Sequence, residues 1–417
     1  MNKKQKLLLF LCWLLYFTSQ LGRYSYSSNI THIMDKYSVS HASAGLVTTF
    51  FFISYGVGQL VNAFLCKKYN KRWVLSGALI ISSLINLAVF LGIGFEYIKY
   101  LWLINGLVQS VLWASLILTL SEHLNKEHLG RASLIMSTTT FGGTAFIYGL
   151  SALFSIGNYF EYVFLICSVI LLAVGLIWLF AYSSVSRGAK QAFQAEQSKD
   201  SLQNASNEKK AVFIARDILF VFVLLAVFML ICNLITDGVK TWVPTILKEE
   251  YGLPDGLSIF LALFLPMCGV IGAFLAQLIQ KFTKNFVIAA GSLFAAAGAL
   301  LAIVICCLHT VWIVVLLLFV LLTVVMGAIA NLLTSRFPLF MRDKGNSGFM
   351  SGILNGCGYI GSAISTFALG LVADAAGWNE AFYLLLLSAA IPVITLIVYT
   401  VVLLIKKKKN KNLTEKE

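Results

Sequence analysis

Apolar runs of bilayer-crossing length, separated by short polar stretches, recur twelve times along this chain. They predict helices over 7–30, 42–66, 73–95, 98–121, 130–155 and 160–183, then 215–247, 257–280, 285–306, 309–334, 345–373 and 379–405. Residues 184–214 are different: charged, rich in Ser, Gln and Asn, and without apolar periodicity, they predict a cytoplasmic linker. The chain thus divides into a six-helix half over 1–183, the linker, a second six-helix half over 215–405, and a basic tail over 406–417.

The halves echo one another. IMDKYSVS after the first helix parallels LKEEYGLP after the seventh, which aligns Tyr37 with Tyr251 at an offset of 214. CKKYNKRWVL after the second helix likewise resembles QKFTKNFVIA after the eighth. Parallel repeats related by an axis along the membrane normal place a solute site near the midplane between them. The expected fold is an all-α membrane protein with twelve transmembrane helices in two pseudo-symmetric six-helix bundles.

Composition supports this reading. Of 417 residues, 59% are hydrophobic and 12% charged, against about 25% charged in soluble proteins. The net charge of +13 does not point to nucleic acid, because 26 of the 31 Lys and Arg residues fall on one side of the predicted helices, in loops and at both ends. The side with more Lys and Arg is the cytoplasmic one, so both termini are expected there, in a multi-pass protein of the cytoplasmic membrane. The first run has no small-residue cleavage site and predicts no signal peptide. The eight cysteines lie in or beside apolar runs without metal-ligand spacing, and read as buried thiols.

Against this background one charge stands out. Arg23 lies roughly 24 Å into the first helix at 1.5 Å per residue, where an arginine costs at least ~2.5–3.5 kcal/mol and marks a site facing protein or a wet cavity. The repeat places Asp237 opposite it in the seventh helix, with Lys240 three residues further on. Arg23 offers a fork of donors suited to carboxylate or phosphate oxygens, and Asp237 is expected to neutralise it when no solute is bound. Lys240 reads either as a second cation of the site or as a residue snorkelling to the outer interface. Further candidates are Tyr26, one turn beyond Arg23; Asn105 and Gln109, four apart on the fourth helix; Thr140 on the fifth; and Asn355 on the eleventh. Gly352, Gly356, Gly358 and Gly361 suit close helix packing. Trp242 and Pro244 suit an aromatic belt and a helix break near the outer end of the seventh helix.

Four segments carry a family resemblance: GRYSYSSN, SEHLNKEHLGRASLIMSTTTFGG, DGVKTWVPTILKEEYGL and GYIGSAISTFALGLVADAAGWNEAFYLLL. Over essentially its full length the chain resembles a major facilitator superfamily transporter. Within that group it is most similar to the organophosphate:phosphate antiporters, the glycerol-3-phosphate and sugar-phosphate transporters. The resemblance implies a basic residue in each half to clamp phosphate. The first corresponds to Arg23, but the second falls on Thr236, next to Asp237, so the clamp is incomplete. The family's fifth-helix histidine corresponds to Thr140, a family glutamine to Gln109, and the aspartate of the superfamily's loop after the second helix to Lys67.

The leading expectation is therefore a monomeric secondary transporter, not an enzyme, for a small anionic organic solute, with protons or phosphate as coupling ions. It needs no cofactor or metal, and its surroundings are membrane lipids. Two other readings stand beside it: proton-coupled efflux of amphipathic compounds through Asp237, and a non-transporting solute sensor of the same fold.

Overall fold

The computed structural model describes residues 1–66, 68–200, 216–341 and 347–414, and among them the regular structure is helical throughout. Polar caps start many of the helices. Asn2 forms a reciprocal capping box with Gln5 at the head of α1 (Lys3–Tyr24). Past a short 3₁₀ turn lies α2 (Ile30–Tyr37), and Ser40 caps α3 (His41–Leu65). Asn70 caps α4 (Lys71–Phe90), which leads to α5 (Phe95–Gln109) and α6 (Leu112–Ser121); Asn125 caps α7 (Lys126–Ser155). These side-chain oxygens satisfy N–H groups that the first helical turn leaves without an acceptor.

The chain continues through α8 (Glu161–Asp200), α9 (Arg216–Tyr251), α10 (Asp255–Ala262), α11 (Phe264–Gly269) and α12 (Ile271–Phe282). It ends with α13 (Phe286–Cys307), α14 (Trp312–Asn331), α15 (Phe337–Phe340), α16 (Ser347–Ala376) and α17 (Trp378–Thr414). Ten helices among the described residues are long and apolar enough to cross a membrane. The first and fifth expected spans correspond to α1 and α7, whose apolar character is diluted by Arg23, Gln20 and the Ser, Thr and Gly residues of α7. Large apolar side chains such as Phe180, Phe274, Leu387 and Ile394 point outward and exposed, as expected of a surface solvated by lipid.

Two local expectations need correcting. Pro244 does not break the seventh span: α9 runs through it to Tyr251, as membrane helices allow when neighbours satisfy the freed backbone groups. Trp242 is not a belt residue at the lipid interface. It is fully buried, and its indole N–H donates to the Thr366 carbonyl at 3.2 Å. At the predicted linker, α8 continues well past residue 183, to Asp200, while 201–215 lie outside the described residues.

The helices form two compact units. The first comprises Met1–Lys210 with Lys240–Met267 and Ala363–Gly370; the second comprises Ala211–Val239, Cys268–Ser362 and Leu371–Glu417. Within the first, α1 packs on α7 and α8, α3 on α5, α4 on α8, and α10 on α7. Within the second, α13 packs on α14 and α17, and α12 on α14.

Candidate functional site

Arg23 sits in the last turn of α1, 6% exposed in the interior of the first unit. Its guanidinium carbon lies 4.2 Å from the ring centroid of Tyr55 and 5.4 Å from that of Phe51. Tyr55 and Phe51 are four residues apart on α3, so one helix face presents both rings, stacked 5.6 Å apart. Aromatic faces attract a cation more strongly once water is excluded, and this holds the planar fork in one orientation.

A buried amide network supports the backbone just before Arg23. Asn105 donates its side-chain N–H to the Gly22 carbonyl at 2.8 Å. The Asn105 carbonyl oxygen accepts from Ser82 at 2.8 Å and from Gln109 at 3.0 Å, and Gln109 also donates to Ser82 at 3.0 Å. Asn86 accepts from Ser25, the C-cap residue of α1, at 2.7 Å. Ser82, Asn86, Asn105 and Gln109 are all fully buried. Gly22 is required for this approach, since a Cβ there would fall 2.5 Å from Ser82 Oγ and 3.2 Å from Gln109 Nε2. Asn105 and Gln109, expected from the sequence to touch solute, here fasten α1 to α4 and α5.

Tyr26 is fully buried just past the end of α1, its hydroxyl donating to the Ala44 carbonyl on α3 at 2.9 Å and its ring against Trp102. Thr140 is half-buried on α7. Lys240 is half-buried on α9; its carbonyl accepts from Tyr148 at 3.5 Å, and no carboxylate of the described residues lies within 4 Å of its ammonium.

In the second unit Asp237 is half-buried on α9, and its carboxylate accepts a hydrogen bond from Ser362 on α16. The two helices meet closely here. A Cβ on Gly361 would fall 1.9 Å from the Leu230 carbonyl oxygen, and one on Gly358 would fall 2.7 Å from Asn233 Nδ2. Asn355, one turn before Gly358 on α16, is half-buried. Gly352 has open space around it and plays no part in close packing.

A charged cluster that the sequence did not single out gathers in the first unit. The Lys248 ammonium bonds to Asp35 and lies 3.0 Å from Asp255 Oδ1. His32 Nδ1 is 3.9 Å from the same Asp255 carboxyl, its Nε2 bonds Ser155 Oγ at 2.7 Å, and its ring stacks on Phe160. Lys36 pairs with Glu161 at 3.1 Å and His41 with Glu249 at 2.8 Å. His32 lies beyond the first predicted span, and burial holds its imidazole below the usual histidine range against the opposing pull of Asp255. Near this cluster the hydroxyls of Thr31 and Thr245 meet at 3.4 Å.

Long lipid-exposed helices around buried polar networks, with a stacked arginine in the first of them, define a multi-pass membrane protein of the transporter class. The chain belongs to the Major Facilitator Superfamily, whose model matches residues 12–366. It is 23% identical to human "Sugar phosphate exchanger 3", covering 88% of this chain and 81% of that protein. It is 21% identical to the "Membrane sensor protein UhpC" of Escherichia coli (strain K12), covering 91% and 88%. Among solved structures it resembles a bacterial homolog of the human lysosomal transporter Spinster in an inward-facing, unoccupied conformation. That match has a TM-score of 0.74 at 14% identity over 95% of this chain and 97% of the other, and it speaks to the fold alone.

Proposed function

We propose that this protein is a secondary active transporter that moves a small anionic organic solute, of the organophosphate class, across the cytoplasmic membrane by alternating access. The observation that carries the proposal is Arg23: a permanently charged fork buried in a membrane helix, oriented by Tyr55 and Phe51 and seated on the Asn105–Gln109 network. The likeness to a sugar phosphate exchanger supports a phosphate ester as the solute class. Arg23 would bind its oxyanion. Asp237 would carry the charge or proton that the cycle exchanges, with Lys240, Thr140 and Asn355 as further candidates for solute contact. Exchange for phosphate and symport with protons are the coupling modes that suit this chemistry, in a monomer with both termini in the cytoplasm.

A second reading rests on the likeness to a membrane sensor protein: a receptor that binds the same solute without moving it. Counterflow of labelled sugar phosphates and glycerol phosphate in proteoliposomes, with parallel binding measurements, separates the two. A transporter shows flux that Arg23→Lys abolishes and that Asp237→Asn uncouples from the pH or phosphate gradient. Saturable binding without flux in the unmutated protein would establish the sensor. Flux of neutral or cationic compounds that is indifferent to Arg23 would overturn the anion assignment.

A further inference from the structure

A separate cavity opens in the second unit, among α12, α13, α14 and α15. It measures about 590 Å³ and is lined by Gln280, Lys284, Phe286, Asn331, Ser335, Arg336 and Phe340, a volume within the usual range for small-molecule sites. α14 does not end cleanly here. Residues Leu332–Arg336 form a single π-helical turn, an irregularity frequent at functional sites. The turn precedes the short α15, and Arg336 sits at its end.

The partners of Arg336 indicate what this cavity takes. Its Nη1 donates to the Gln280 side-chain oxygen, and its Nε donates to Asn331 Oδ1 at 3.2 Å. Both acceptors are neutral amides, which fix the guanidinium without cancelling its charge. An arginine has five N–H donors, so the remaining ones are left for a further acceptor. Lys284, exposed at the rim, adds a second positive charge, and no carboxylate of the described residues lies within 4 Å of either cation. Phe286 and Phe340, 5.5 Å apart, give the cavity an apolar wall. A phosphate group has the acceptor geometry that a pre-oriented guanidinium favours.

We propose that this cavity is a phosphate-binding site, distinct from the Arg23 site, in which Arg336 and Lys284 hold the phosphate of an anionic lipid headgroup or a free phosphate anion. It lies at the helix ends that carry Lys281, Lys284 and Arg336, the side that the loop charges assign to the cytoplasm, where anionic lipid headgroups and free phosphate are both available.

The test uses the full chain purified in detergent, as wild type, Lys284→Gln and Arg336→Gln. Lys284 makes no side-chain bond among the described residues, so its variant keeps the test informative should Arg336→Gln misfold. In one arm native mass spectrometry compares retention of phosphatidylglycerol and phosphatidylcholine. In the other, thermal unfolding compares inorganic phosphate with chloride at matched ionic strength. The second arm is carried out in an Arg23→Gln background, so that binding at the Arg23 site does not contribute. Preferential retention of phosphatidylglycerol supports the site and identifies the lipid source; stabilisation by phosphate supports the site and identifies the free anion. Whichever arm responds should weaken by about threefold with Lys284→Gln and by roughly tenfold with Arg336→Gln. Equal retention of the two lipids with no phosphate-specific stabilisation overturns the proposal. So does a response that both variants leave undiminished.

Discussion

At the scale of the residue, the anion site proposed for the first unit turns on one arginine and on what keeps it still. Arg23 has its ring partners on a neighbouring helix, while the carbonyl just before it is tied down by Asn105. Asn105 is thus a positioning residue for the cation. Replacing it with leucine leaves the Gly22 carbonyl, Ser82 and Gln109 short of partners in a dry interior. Each unsatisfied group there costs about 1–3 kcal/mol. Asn105→Leu should therefore lower the midpoint of thermal unfolding in detergent by several degrees, while Thr140→Val, on a half-buried position with no bonding role among the described residues, should leave it near wild type. Equal stability of the two variants would mean that the network does not hold α1 in place.

At the scale of the element, small residues decide how closely helices approach. Gly361 lets α16 approach the backbone of α9 and thereby sets Ser362 against Asp237. A methyl group there meets a carbonyl oxygen at 1.9 Å, and neither backbone can yield cheaply. Gly352, on the same helix, faces open space. Gly361→Ala should therefore destabilise the protein by about 1–3 kcal/mol through overpacking. Gly352→Ala should be neutral, or stabilising by up to about 1 kcal/mol because alanine is the better helix former. Thermal unfolding of the two single variants checks this directly, and similar shifts would show that α16 does not lie as described. Of the glycines named from the sequence, the spacing alone could not tell these two apart, because both lie on a small-residue stretch and only the neighbour across the gap distinguishes them.

At the scale of the whole molecule, the charged cluster around Lys248 gathers His32, Asp35, Asp255 and Ser155 from segments far apart in the chain. Because burial lowers the His32 pKa in the folded protein, the unfolded chain binds more protons between the lowered folded pKa and the unfolded one near 6.5. Stability therefore rises with pH across that window and is lost as the medium is acidified through it. The groups facing His32 are Asp255 and Lys248 beside it, Asp35 on its own helix, Glu161 near Phe160, and Ser155. Unfolding followed from pH 7.5 down to 5 should show a falling midpoint, and His32→Gln should flatten that fall. An unchanged slope in the variant would place the titrating group elsewhere.

Much of this protein could be read from its sequence because a bilayer imposes one-dimensional rules. Span length, the run of apolar residues and the asymmetry of Lys and Arg follow from the membrane as a solvent, so the helical spans and the buried position of Arg23 needed no tertiary information. What each buried polar residue does was not legible. Asn105 and Gln109 show the same spacing whether they face a solute or a backbone carbonyl, Tyr26 finds its acceptor at the Ala44 carbonyl on another helix, and Trp242 finds its acceptor at Thr366, more than a hundred residues away. The sequence by itself determined what must lie in lipid and what must not, since that depends on each segment alone. The tertiary structure alone decided which polar groups support and which remain available to bind, because hydrogen bonds are satisfied by neighbours that only folding brings together.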